Sequence, residues 1–260
     1  MAVFSSYQNT LPDPNNGVSA SGSAGTGDAG YVAGPGYSSV SLKSVFPSQT
    51  TRTNSGSVIV RNIAGHKWDI NISYNPLLRA QFEPMYAFLL QKKGSVSHFF
   101  VSLPQYKQSQ NAAWNTYLTT GNSGGVQTVK PSANVLAGAD KFIFTNNGGT
   151  AFNSSSMASG KPGVGDLFNI VDSNDTNHSK VYMITRVSTR VDYLSGSRPD
   201  SDEFGIEFTP PLRKAVNAAT STVNFTDVKF RVINKGKDIS YSLDVNNLYK
   251  LSLNVEEAQP

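Results

Sequence analysis

Residues 67–74, KWDINISY, set Trp68, Ile70, Ile72 and Tyr74 at a strict period of two. Successive side chains of a strand point to opposite faces, so this spacing gives one apolar face and one polar face. A helix would scatter the same residues around its circumference. The chain must therefore form a sheet with one side on a core. The preceding stretch SGSVIVRNIAG places Val58, Val60 and Ile63 in alternation, and Ala64-Gly65-His66 reads as a turn. The two runs predict a β-hairpin.

The pattern then changes period. Leu78, Phe82, Met85 and Leu89 recur at helical spacing and form one apolar stripe. Asn75 is a candidate N-cap with Pro76 at the first helical position. Pro84 either kinks this helix or marks a true start near Ala80. Lys92 and Lys93 suit the negative helix end, and Gly94 supplies a stop. HFFVSLP follows as a strand ending at Pro104. Trp68, Leu78, Phe82, Met85 and Leu89 are the candidate packing and assembly residues of this hairpin–helix–strand unit.

Only 15% of the 260 residues are charged and 38% are hydrophobic, so polarity rests on Ser, Thr, Asn, Gln and Gly. That mix suits a β-rich chain with many turns. The net charge of +4 comes without a lysine or arginine cluster, so nothing demands nucleic-acid binding. There is no cysteine, which excludes disulfides, thiolate metal sites and cysteine nucleophiles. MAVFSSYQN lacks the basic and apolar regions of a secretory leader, and no apolar run is long enough to span a membrane.

Three segments are expected. Residues 1–40 are rich in Gly, Ser and Ala and predict a flexible N-terminal arm. It is either a free tail or a segment that orders on a neighbouring subunit, with Tyr7, Tyr31 and Tyr37 as anchors. Residues 41–104 and 223–260 together predict a split β-barrel with one packed α-helix, because the first block has too few strands to close a core alone. Residues 105–222 predict an inserted small antiparallel β-barrel or sandwich, with strands in KFIFTN, GDLFNIVD, KVYMITRV and FGIEFTPPL. Residues 105–135 read as polar loop, leaving Tyr106, Trp114 and Tyr117 as aromatics in a polar setting.

Motifs for chemistry are weak. His66, His98 and His178 have no acid or nucleophile at a motif spacing. VDSNDTNHSK carries Asp172, Asn174, Asp175, Asn177 and His178, but it lacks the central Gly and distal Glu of a calcium loop. It reads better as an Asx-rich turn. Asp200, Asp202 and Glu203 read as a solvated acidic link. In SGKPGVGD the lysine precedes Pro162 where a phosphate loop needs Ser or Thr. No cofactor, metal or catalytic residue is expected, and the chain reads as a non-enzyme.

The segment from Ser48 to Gly94 resembles the N-terminal part of bacteriophage distal tail proteins and related minor tail or baseplate ring proteins. The resemblance is carried by Trp68 and then by Arg79, Ala80, Phe82, Pro84, Ala87, Phe88, Leu89 and Gly94. Gly165, Asp166, Tyr182, Pro210, Pro211, Leu212 and Arg213 resemble the inserted β domain of such proteins. LYKLSLNVEE, with Glu256 and Glu257, resembles their last barrel strand. The resemblance implies a structural component of the virion, assembled in the host cytoplasm. Its copies would form a homo-oligomeric ring, usually hexameric, joining the tail tube to baseplate hub or fibre proteins. DNA would meet it only in transit through the lumen, and no membrane insertion is implied. Lumen-facing loops are expected to carry the acidic residues, and Lys and Arg to face partner proteins. The alternative is a receptor- or carbohydrate-binding β module of the tail tip.

Overall fold

The computed structural model describes residues 9–14, 34–62, 65–120, 128–146, 161–175, 178–188, 203–236 and 238–258. Tyr7 and Tyr31 lie outside them, as does most of the expected arm. The chain is mainly β. Its elements are β1 (Tyr37–Val45), β2 (Ser48–Arg52), β3 (Val58–Asn62), β4 (Lys67–Tyr74), α1 (Arg79–Gln91), β5 (Phe99–Ser102), α2 (Ala112–Thr120), β6 (Val129–Pro131), β7 (Lys141–Asn146), β8 (Leu167–Asp172), β9 (Val181–Ser188), β10 (Phe204–Thr209), β11 (Ser221–Asn224), β12 (Lys229–Asn234), β13 (Tyr241–Leu243) and β14 (Tyr249–Glu257). They fall into two compact units, residues 1–101 with 231–260 and residues 102–230.

The first unit is built on a sheet of order β1-β4-β14-β12-β5, with β13 added beside β14. The period-two face of β4 is buried: Trp68, Ile70, Ile72 and Tyr74 point inward with Leu251, Leu253 and Val255 of β14. On α1, Phe82, Met85, Phe88 and Leu89 are buried. Phe82 stacks on Tyr249 at 4.3 Å between ring centroids, and Phe88 meets Phe99 edge-on at 5.7 Å. Burying each such side chain contributes about 1.5–3 kcal/mol.

Two sequence expectations need correction in this unit. Leu78 is not in the buried stripe. It is the N-cap residue of α1 and is 60% exposed. The helix starts at Arg79 rather than at Pro76, and Gln81 Oε1 reaches back to accept the Leu78 N–H at 3.3 Å. Pro84 lies inside the helix in its second turn. The expected hairpin is also different. β3 pairs with β2, and β4 pairs with β1 from Tyr37↔Tyr74 to Val45↔Lys67. The four strands form one long nested hairpin whose tip lies at residues 53–57.

The second unit is a closed barrel of order β10-β7-β6-β11-β8-β9. Its core is aromatic, with Phe142, Phe144, Phe168, Tyr182, Phe204, Phe208 and Phe225 in mutual contact. Residues 105–135 are not all loop. α2 occupies 112–120 and buries Trp114, Tyr117 and Leu118 in the barrel core. The described residues thus hold two α-helices rather than one. β11 pairs with β6 and β8, so Ser221–Asn224 and the residues up to Phe230 belong to this unit rather than to the terminal block expected from residue 223.

α2 is tied to the barrel through one carboxylate. Asp166, buried, accepts hydrogen bonds from Ser109 Oγ, from Gln110 N at 3.1 Å and from Gly163 N at 2.7 Å. Asn111 caps the helix by accepting from Ala113 N at 3.0 Å, while its amide donates to Lys161 O at 2.8 Å. The Gly-Lys-Pro-Gly stretch is therefore turn scaffolding in its described part, not a phosphate cradle.

Candidate assembly surface

Beyond Val45 the nested hairpin leaves its sheet. Every residue from 48 to 61 is exposed. One face of the β2–β3 ribbon shows Thr50, Arg52, Val58 and Val60, and the other shows Gln49, Thr51, Ile59 and Arg61. Val58, Ile59 and Val60 are each more than half exposed. A two-stranded ribbon with no core of its own is marginally stable in water. Covering each of those three side chains would contribute about 1.5–3 kcal/mol. The ribbon carries two arginines and no acid.

Its root is firm. His66 is buried, packs on Phe46 at 4.5 Å and meets Trp68 edge-on at 4.7 Å. Ser44 Oγ and His66 Nε2 are 2.9 Å apart. Trp68 N donates to Glu257 Oε2 at 3.2 Å, fastening the root to the last strand. Trp68 thus sits where the ribbon meets the core.

The sheet edges differ. At β5 the edge is covered by the chain's own residues 9–11: Phe100 N donates to Asn9 O and Leu11 N to Phe100 O, each at 2.7 Å. Lys92 Nζ donates to Asn9 Oδ1 and lies 5.0 Å from the Phe88 ring centre. This part of the expected arm is docked. Gly34 N donates to Asp13 O at 3.2 Å, so the chain returns beside the point where it left. At the other edge, among the described residues no strand pairs with the outer side of the nine-residue β1. An open edge offers unpaired N–H and C=O groups to another strand. Tyr37, at its start, is half-buried and meets Tyr74 edge-on at 5.3 Å. Burial pushes the Tyr74 phenol well above its ordinary range.

A second apolar surface lies at the start of α1. Tyr241 of β13 contacts Phe82 at 4.8 Å and Tyr86 at 5.3 Å. Leu243 pairs with Tyr249, and Tyr249 exchanges both backbone hydrogen bonds with Leu77 at 2.8 and 2.9 Å. Tyr241 and Leu243 are about half exposed, and Val245 in the following turn is 98% exposed.

The polar face of the sheet is quiet. Ser41, Asn71 and Asn254 stand side by side, as do Ser73 and Ser252. Lys67 pairs with Glu256 at 2.6 Å and Lys235 with Asp69 at 2.7 Å. The Asp69 hydrogen bond holds the Lys235 ammonium above its usual range. A cavity of about 630 Å³ is lined by amides and hydroxyls, including Asn71, Asn234 and Asn254, together with Lys235, Asp238 and the aliphatic Ile72, Ile239 and Leu253, and its described lining has no aromatic ring for a sugar to stack on.

The residues with chemical potential are mostly accounted for. Asp172 accepts from Ser221 Oγ at 2.7 Å, Thr220 Oγ1 at 3.2 Å and Asn174 N at 2.8 Å, and these bonds hold its carboxyl below the usual range. Asp175 pairs with Lys214 at 2.7 Å. His178 is buried beside them, and burial lowers its pKa. His98 is largely exposed, and its pKa is lowered by partial desolvation and by Arg231, 3.3 Å away. Among the described residues no group of three His, Asp or Glu could hold a metal, and no helix is long and apolar enough to cross a membrane.

Of the candidate residues, Trp68, Phe82, Met85 and Leu89 are buried within the first unit, Leu78 is at the surface, and Tyr31 lies outside the described residues. Sequence reasoning misses the ribbon. The turn signal Asn54-Ser55-Gly56 midway between SQTTR and VIVRN marks it, and three consecutive apolar residues cannot all face one core.

No family model matches the chain. It is 26% identical over 229 residues to the distal tail protein pb9 of Escherichia phage T5, across 86% of this chain and 93% of that protein. This likeness supports the resemblance to phage distal tail proteins.

Proposed function

We propose that this chain is a non-enzymatic structural component of a phage tail. It forms a homo-oligomeric ring, with six copies the expected number, that connects the tail tube to the baseplate hub or fibres. The likeness to a distal tail protein over nearly the whole chain supports the virion setting. The single structural observation that carries the ring is the β2–β3 ribbon, which exposes Val58 and Val60 on one face and Ile59 on the other and is rooted in the Phe46–His66–Trp68 stack. A closed ring needs two different patches on each copy, one meeting the other on the next copy. The protruding ribbon is one patch of that kind, unlike any other described surface of the unit.

The test is the mass of the purified chain by light scattering and native mass spectrometry as a function of concentration, with and without residues 48–61. Ring-sized particles from the whole chain, and monomer from a folded ribbon deletion, are the expected results. A chain that stays monomeric from nanomolar to high micromolar concentration ends the ring reading. Specific binding of host glycans by that monomer would instead favour the receptor-binding module.

A further inference from the structure

The exposed large apolar residues described in the first unit form two main groups and a small third one. Phe46, Val58, Ile59 and Val60 belong to the ribbon and its root; Leu78, Tyr241, Leu243 and Val245 surround the start of α1; Leu90 and Val96 lie at the other end of the helix. We infer that the ribbon of one copy docks on the α1–β13 face of a second copy, with Val58 and Val60 covering Tyr241 and Leu243.

Three features fit these surfaces to each other. The ribbon's only charges are Arg52 and Arg61, one on each face. The receiving face holds the half-exposed Tyr241 beside the half-buried Tyr86, and a guanidinium is drawn to the face of such a ring. Asp244 stands on the flanking turn, so the receiving side has a carboxylate where the ribbon has none, while Glu83 on the helix is ion-paired with Arg79. Among the described residues β13 pairs with β14 alone, which leaves its other edge for a visiting strand. A protruding ribbon and a receiving edge are unlike surfaces. Their contact is heterologous and propagates from copy to copy rather than stopping at a pair.

This inference rests on the ring reading, and the experiment separates the two. The chain has no cysteine, so Val60→Cys and Leu243→Cys can be placed together and oxidised in the assembled state. Disulfide-linked dimers, trimers and longer ladders are expected from the double variant, and none above dimer from either single variant. In parallel, Leu243→Asp and Tyr241→Ser should weaken assembly at least tenfold while keeping the far-UV spectrum, and Leu90→Asp should leave it unchanged. Rings that form normally in Leu243→Asp and give no 60–243 cross-link overturn the docking face and leave the ring standing. Links that stop at dimer also overturn it. A wild-type chain that never assembles overturns both.

Discussion

Lys67 Nζ lies 2.6 Å from Glu256 Oε2, although 189 residues separate them in sequence. The next residue of each strand makes the deeper contact, where Trp68 N donates to the buried Glu257 carboxylate. The last strand therefore closes the first unit at the foot of the ribbon.

The two contacts differ in worth. Lys67→Ala removes a half-exposed ion pair and should cost no more than about 1 kcal/mol. Glu257→Ala removes the acceptor of a buried N–H and should cost about 1–3 kcal/mol. Urea unfolding of the isolated chain measures both. An equal loss in the two variants would contradict the assignment of Glu257 as the fastening residue.

Asp166→Ala removes three hydrogen bonds, two from the segment that leads into α2 and one from Gly163. Hydrogen bonds to a charged acceptor are worth about 1.5–3 kcal/mol each when lost singly, and they are not additive within one group. A loss of about 3 kcal/mol is expected, with a weaker near-UV signal from Trp114. Asp166→Asn should recover part of it.

His178 is buried in the folded chain, with Asp172, Asp175 and Lys214 as its charged neighbours, and burial lowers its pKa. Its folded pKa lies below the unfolded value near 6.5, so the unfolded chain takes up the proton first. Stability is full above about pH 6.5 and falls as the pH drops from there toward the folded pKa. His98 is depressed as well and adds to the same window. Thermal unfolding from pH 8 to 5 should show the decline, and the double replacement His178→Leu, His98→Asn should flatten it. An unchanged slope in that variant would place the effect elsewhere.

Gly34 leaves no room for a side chain. A Cβ there would stand 2.6 Å from Asp13 N and 2.7 Å from Asp13 O and Pro12 C, all backbone atoms. Gly34→Ala should lift residues 9–14 off the edge of β5. Hydrogen exchange reads this directly, through faster exchange at the Leu11 and Phe100 amides and little change at Ile70. Retained protection at Phe100 would show that the segment holds without the close approach.

Residue spacing reveals the faces of this fold and leaves its edges hidden. Trp68, Ile70, Ile72 and Tyr74 declare a half-buried strand by spacing alone, because side-chain direction depends only on local geometry. Phe82, Met85 and Leu89 do the same for α1. Leu78 misleads because it has helical spacing but stands one residue before the first turn. α2 is masked by polar neighbours, although Trp114, Tyr117 and Leu118 are spaced as one helical face.

Which strand lies beside which is a different kind of question. Any alternating strand can pair with any other, so β4 could join β3 or β1, and β14 arriving from the far end of the chain takes part in that choice. The same holds for β11, taken into the barrel by β6 and β8. Residue order alone specifies a β-rich, cysteine-free chain, its buried strand and helix faces, and its likeness to phage tail proteins. That residues 48–61 stand clear of every described core emerges only when the strands pack, because exposure depends on what the rest of the chain leaves uncovered.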